Sequence, residues 1–162
     1  MRLFIAIQLS DEMKKALVAC MHDLKKQGVE GNYVPAQNLH MTLAFIGEYD
    51  DPGKVKEVIG KVPLPEFRIS LSEKGNFGNI LWAGVKGNQK LKTYVKDLKA
   101  ALAAEGIPVD KEKFVPHITL IRKFSVKKPY QFRLPKAEMT VKKASLMKSE
   151  QKNGKVTYKA IG

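Results

Sequence analysis

The chain has 162 residues, 44% apolar and 28% charged, which suits one domain of ordinary size or two small lobes sharing a core and excludes a disordered or fibrous chain. Its +13 charge is one-sided: residues 1–80 hold ten basic and ten acidic side chains, residues 81–162 nineteen and six. A field confined to one half suits a polyanion such as nucleic acid, against the plainer reading of a lysine-rich solvated surface.

Leu3 to Ile7 reads as a short apolar strand. Ser10 follows as a helix N-cap, with Asp11 and Glu12 in the first turn, where the helix dipole favours acids. Met13, Ala16, Leu17, Cys20, Met21 and Leu24 recur at helical spacing, and Gly28 supplies the stop. Tyr33-Val34-Pro35 leads into a strand-like run, His40 to Ile46, closed by Gly47. A short helix is expected over Asp51 to Ile59, and a strand over Arg68 to Leu71. Ile80 to Val85 reads as the next strand. Asn88 looks like an N-cap, and Leu91, Tyr94, Val95, Leu98, Ala101 and Leu102 form a second helical stripe ending at Gly106. Phe114-Val115-Pro116 then precedes the strand His117 to Arg122. Two alternating stretches close the chain, Ala137 to Met147 and Val156 to Ile161. Gln151-Lys152-Asn153-Gly154 forms a hairpin turn between them.

The two halves share an order: strand, long helix, loop with Val-Pro, strand with His-x-Thr-Leu. His40 and His117 lie 77 residues apart, too far for a solenoid repeat. The spacing fits two lobes related by a pseudo-twofold axis, and the hairpin signals favour antiparallel pairing over a doubly wound parallel sheet. The expected fold is α+β and bilobal, with antiparallel strands and outer helices around a central cleft. Residues 1–162 are read as one domain carrying an internal duplication.

The chemistry lies in the two tetrapeptides His40-Met41-Thr42-Leu43 and His117-Ile118-Thr119-Leu120. Strand side chains alternate faces, so each histidine shares a face with its threonine while the residues between point to a core. Two imidazoles flanking one phosphorus can divide the work, one taking a proton from water and the other protonating the departing oxygen. Their ordinary pKa near neutrality makes both roles accessible. The threonine hydroxyls can donate to non-bridging phosphate oxygens.

These blocks, with RLFIAI, VPAQNLHMTLAFIG, ILWAGV and FVPHITLIRK, resemble the two-histidine phosphoesterase superfamily over almost the whole chain. Within it they are most similar to the RNA 2′,3′-cyclic phosphodiesterases, also named 2′-5′ RNA ligases. The resemblance implies the bilobal fold, no metal and no cofactor. It implies catalytic pairs His40–Thr42 and His117–Thr119, with His40 as proton donor and His117 as proton acceptor. It also implies opening of a terminal 2′,3′-cyclic phosphate of RNA to a 2′-phosphomonoester, with reversible 2′-5′ ligation as a secondary activity. The near symmetry of the motifs leaves the acid–base polarity open. Two rival functions remain: a non-catalytic RNA- or nucleotide-binding protein, and a phosphodiesterase acting on small cyclic nucleotides or 2′-5′ oligoadenylates.

Further candidates surround the motifs. Strict alternation puts Arg122 opposite His117, so it reaches a phosphate only if the strand bends or ends near Ile121. Tyr33 and Phe114 flank the Val-Pro loops and are candidates for stacking on a base. Trp82, inside an apolar strand, reads as core, as does Cys20 on its helical stripe. His22 reads as a solvated bystander. Metal-ligand spacing and phosphate-loop fingerprints are absent. No apolar run approaches the roughly 20 residues of a membrane-spanning helix, and the opening segment is too short for a secretory signal. With a single cysteine, the expectation is a reduced, cytoplasmic enzyme, monomeric or weakly associating, whose partner is RNA with a cyclic phosphate end.

Overall fold

The computed structural model describes residues 1–86 and 88–162. In chain order these form β1 (Arg2–Gln8), α1 (Asp11–Lys26), β2 (Glu30–Tyr33), a 3-10 turn (Ala36–Asn38), β3 (His40–Glu48), α2 (Pro52–Lys61), β4 (Phe67–Phe77) and β5 (Ile80–Val85). Then follow α3 (Gln89–Ala104), β6 (His117–Ser125), β7 (Glu138–Val141), β8 (Ser145–Lys152) and β9 (Lys155–Ala160). One sheet has the order β3-β1-β8-β9 and the other β2-β6-β5-β4-β7, with every pairing antiparallel. The two sheets correspond: each His-x-Thr strand, β3 or β6, lies beside the strand that opens its half, β1 or β5.

Ser10 and Asn88 cap their helices as expected, and Asp51, read as the first residue of the short helix, caps it instead. Ser10 Oγ accepts from the Met13 amide at 3.2 Å, Asp51 Oδ1 from Lys54 at 3.1 Å, and Asn88 Oδ1 from Lys90 at 2.8 Å. Each bond satisfies a donor the helix itself leaves unpaired. The buried face of α1 is Met13, Leu17, Cys20, Met21 and Leu24. It docks beside the second sheet: Cys20 Sγ approaches the Arg133 carbonyl at 3.7 Å, and Gln27 bonds Gln131 in both directions at 2.7 Å. Conversely α3, from the second half, packs against β3 and α2. One continuous core joins residues of both sheets and all three helices. Burial within it pushes the Cys20 thiol up to about 11, in keeping with a core position.

Strand β1 is buried from Leu3 to Ile7 because both faces are covered. Leu3, Ile5 and Ile7 enter the main core, whereas Phe4 and Ala6 join Met147 and Tyr158 in a separate cluster on the other face.

Both His-x-Thr strands break their alternation at the same point. In β3, Ile5 faces Ala44 and Ala6 faces Thr42, leaving Leu43 as an extra residue. In β6, Leu81 faces Ile121 and Trp82 faces Thr119, leaving Leu120 extra. These are β-bulges, and each moves later residues to the opposite face. Leu43 and Ala44 are accordingly both buried, as are Leu120 and Ile121. Phe45 and Arg122, again 77 residues apart, therefore return to the face of the histidine.

Three expectations require adjustment. The stretch from Ala137 to Met147 is not one strand: β7 pairs with β4 in the second sheet and β8 with β1 in the first. The break falls at Lys142-Lys143, since two adjacent charges cannot both take the solvent side of one strand. The strand expected over Arg68–Leu71 continues to Phe77 and turns into β5. The polar strand β2 was not expected; it pairs with β6 beside Arg122. Gly31 permits that approach, because its φ is +146° and a Cβ there would lie 2.5 Å from Ile121 Cγ2 and 2.8 Å from the Arg122 carbonyl.

Candidate active site

His40 opens β3, and its ring is fixed from both ends. Nδ1 lies 2.7 Å from the Asn38 carbonyl. A carbonyl only accepts, so Nδ1 carries the proton and the neutral ring presents its lone pair at Nε2. Thr42 Oγ1 stands 2.8 Å from Nε2; its hydroxyl donates to the neutral ring and accepts from the charged one. The Asn38 side chain is buried and donates to the Val156 carbonyl at 2.9 Å, tying the carbonyl that orients His40 to β9. Phe4 and Tyr158 flank the imidazole, with centroids 5.0 and 5.1 Å away. Burial lowers the His40 pKa from its ordinary value. The Asn38 hydrogen bond opposes that shift, and the charges of Arg122 and His117 add to it.

His117 repeats this construction at the head of β6. Its Nδ1 donates to the carbonyl two residues earlier, Val115, at 2.6 Å. Phe77 meets the ring edge-on at 5.1 Å, and Trp82 lies 5.7 Å away. Trp82 thus corrects the expectation of a core residue: it occupies the cleft side of β5, directly across the ladder from Thr119. Its indole Nε1 is buried and has no hydrogen-bond partner among the described residues. A tryptophan in an apolar strand gives no sign in the sequence of which face it takes; its pairing with Thr119 settles that.

Two grooves, of about 820 and 850 Å³, share His40, Arg122, Val156 and Tyr158. One runs past Thr42, Phe45 and Arg2; the other passes Thr119, Tyr33 and Lys155. The structure therefore gathers His40, Thr42, Thr119 and Arg122 around one centre. His117, on the same face as Thr119, is near enough for its charge to depress His40. The bulge at Leu120 is the bend that Arg122 required. Tyr33 forms part of a groove wall, anchored by its hydroxyl to the Val29 carbonyl at 2.6 Å. Phe114 is half-buried against the main core and, like His117 and Trp82, is not among the residues that line either groove. His22 lies on the rim of a separate small pocket, exposed. Phe4, Phe77 and Tyr158 were missed, because ring contacts made across strands leave no mark at sequence spacing.

Two lobes of antiparallel strands, each presenting a carbonyl-oriented imidazole beside a hydroxyl, define a two-histidine cleft protein of the α+β class. The model of the 2′-5′ RNA ligase superfamily matches residues 10–153. An RNA 2′,3′-cyclic phosphodiesterase from Thermotoga maritima is 33% identical over 132 residues, 75% of this chain and 70% of that protein. One from Geobacillus stearothermophilus is 32% identical over 138 residues, covering 79% of this chain but 44% of the longer relative. The crystal structure of Escherichia coli LigT in apo form superposes with a TM-score of 0.85 at 26% identity, covering 99% of this chain and 94% of that one. LigT complexed with 3′-AMP gives 0.84 at 27% identity, with 99% and 95% covered. The chain belongs to the 2′-5′ RNA ligase superfamily, as an enzyme of the cyclic phosphodiesterase type.

Proposed function

We propose that this protein opens the terminal 2′,3′-cyclic phosphate of RNA to a 2′-phosphomonoester, using His40 and His117 as an acid–base pair without a metal ion. The observation that carries this reading is the matched construction of the two imidazoles. Each Nδ1–H is held by the carbonyl two residues earlier, so each Nε2 is the working atom.

In this reading, neutral His117 Nε2 takes a proton from the attacking water. The new P–O bond forms as the bond from phosphorus to the 3′ oxygen breaks, and protonated His40 delivers its Nε2 proton to that oxygen. Thr42 must release Nε2 before this transfer, and its hydroxyl is then free to donate to a non-bridging oxygen, as Thr119 does from the other side. Arg122 balances the charge that grows on those oxygens. Burial and Arg122 hold His40 neutral more readily in the free protein; the arriving anion reverses that bias and charges the ring. An RNA 5′ hydroxyl in place of water would yield a 2′-5′ linkage by the same step. Tyr33 offers a face for a base, and the basic second half of the chain an attractive field for a longer RNA.

The same reading takes residues 1–162 as one duplicated domain, supported by the shared core and the matched bulges. It places a monomer with an unpaired Cys20 in the cytoplasm. Among the described residues no helix is long and apolar enough to cross a membrane. The test is product analysis on an RNA ending in a 2′,3′-cyclic phosphate, with chelator present. A 2′-phosphomonoester is the expected product. Loss of turnover in chelator, restored by a divalent ion, would overturn the metal-free mechanism.

A further inference from the structure

The groove that passes Thr42 holds a second guanidinium that the reaction at the central phosphate does not use. Arg2 shares the cleft face of β1 with Phe4, and its Cζ lies 5.2 Å from the centroid of Phe45. Phe45 occupies the position in β3 that Arg122 occupies in β6, each being the residue that a bulge returns to the histidine face. In the second lobe the guanidinium grows from that position directly. In the first lobe the position holds an aromatic ring, and the neighbouring strand supplies the guanidinium on top of it.

Attraction to the ring holds the Arg2 head group without using its N–H donors on an acceptor atom. Among the described residues no carboxylate lies within ion-pair distance of Arg2, and none of its donors has a protein acceptor. Its ladder neighbour Glu48 turns its carboxylate to the Met1 amine at 3.2 Å instead. Lys148, in the same groove, is neutralised by Glu150 at 3.0 Å. Arg2 thus remains an oriented, uncompensated cation in a groove that leads from His40. Phe4, which touches His40, and Arg2 are two residues apart on one strand, about 7 Å, a distance on the scale of one nucleotide step.

We propose that Arg2, held by Phe45, binds the phosphodiester one nucleotide upstream of the cyclic end, making a subsite that favours oligonucleotides over mononucleotides. This rests on the cyclic phosphodiesterase reading given above. It assigns the groove past Thr42 to the body of the RNA.

The experiment compares three substrates on the same protein: a nucleoside 2′,3′-cyclic phosphate, a dinucleotide ending in that group, and the dinucleotide with a neutral methylphosphonate linkage. The readout is the ratio of kcat/KM for each dinucleotide to that of the mononucleotide, so any loss of folded protein cancels. Arg2→Gln is expected to lower the ratio for the charged dinucleotide about tenfold, the scale of a hydrogen bond to a charged group. The ratio for the neutral dinucleotide should stay unchanged. Phe45→Leu removes the ring that orients Arg2 and should lower the first ratio in the same direction by less. An unchanged ratio in Arg2→Gln, or an equal fall for the neutral linkage, overturns the subsite while leaving the catalytic reading intact. Absence of turnover on all three substrates by the unaltered protein overturns the catalytic reading and the subsite with it.

Discussion

Gly75 gives a sharp test of how His117 is positioned. A Cβ at this residue would stand 2.5 Å from Trp82 Cη2, closer still to Cζ2, and 3.0 Å from Cε2. Carbon atoms prefer about 3.5–4.0 Å, so the indole must retreat by about 1 Å from its seat beside His117. Overpacking of this kind costs roughly 1–3 kcal/mol of stability. A misplacement of about 1 Å in catalytic surroundings can cost on the order of 10²-fold in rate. Gly75→Ala is therefore expected to lower both the unfolding free energy and kcat on a cyclic phosphate. The clashing atoms belong mainly to the six-membered ring of the indole, which Trp82→Phe shortens away. That substitution also deletes an Nε1 donor that is already unpaired, so no hydrogen bond is lost. The double variant should recover much of what Gly75→Ala loses, giving a coupling energy of about 1 kcal/mol or more in a denaturant-based double-mutant cycle. Strict additivity, or a Gly75→Ala variant as active and stable as the parent, would refute the contact chain from Gly75 through Trp82 to His117.

His40→Ala and His117→Ala should each lower kcat by roughly 10²–10⁴-fold, and together by less than the product, because a proton relay fails as a unit; near-normal turnover of either single variant would end the paired mechanism. Thr42→Val and Thr119→Val keep the β-branched shape and remove the hydroxyl, so steady-state kinetics should show a loss of up to about 3 kcal/mol in transition-state binding, with Thr42→Val also freeing His40 Nε2 in the unliganded protein. By NMR, the His40 ring should titrate below its ordinary value, and Arg122→Met should move that titration upward, since the Arg122 charge is one of its depressing causes. The linked stability has a definite sign: between the lowered folded value and the unfolded value near 6.5, the unfolded chain binds more protons, so unfolding free energy should fall as pH drops through that window. His40→Gln should flatten this dependence in urea titrations at several pH values.

Local information carried most of the elements. Ser10, Asp51 and Asn88 cap the helices they precede, and the apolar stripes of α1 and α3 are buried as their spacing requires. The two His-x-Thr pairs were legible because alternation is a local rule. What alternation hid was its own failure. Leu43-Ala44 and Leu120-Ile121 are adjacent apolar pairs, and an adjacent pair on a strand with one polar face signals a bulge. That signal would have turned Arg122 into the cleft from the sequence alone. Trp82 was misplaced for another reason: the face of an aromatic residue on a strand depends on which strand pairs beside it. The sheet change between Val141 and Ser145 is likewise non-local, because an alternating pattern states that a strand exists but not which sheet receives it.

The exchange of helices between the lobes fixes how wide the cleft can be. The helix that follows β1 is tied through Cys20 and Gln27 to the segment between β6 and β7 of the far sheet, and the helix that follows β5 packs against β3 of the other sheet. To hinge the lobes apart, a helix must be peeled from its sheet, exposing side chains such as Met13, Leu17 and Leu24 at roughly 1.5–3 kcal/mol apiece. The molecule therefore works as a caliper locked at one setting rather than as jaws. On the proposed mechanism, a phosphate would be gauged by whether it fits between two imidazoles held at that setting, with movement on binding left to small parts: the Thr42 hydroxyl, the Arg122 head group and the rim of each groove.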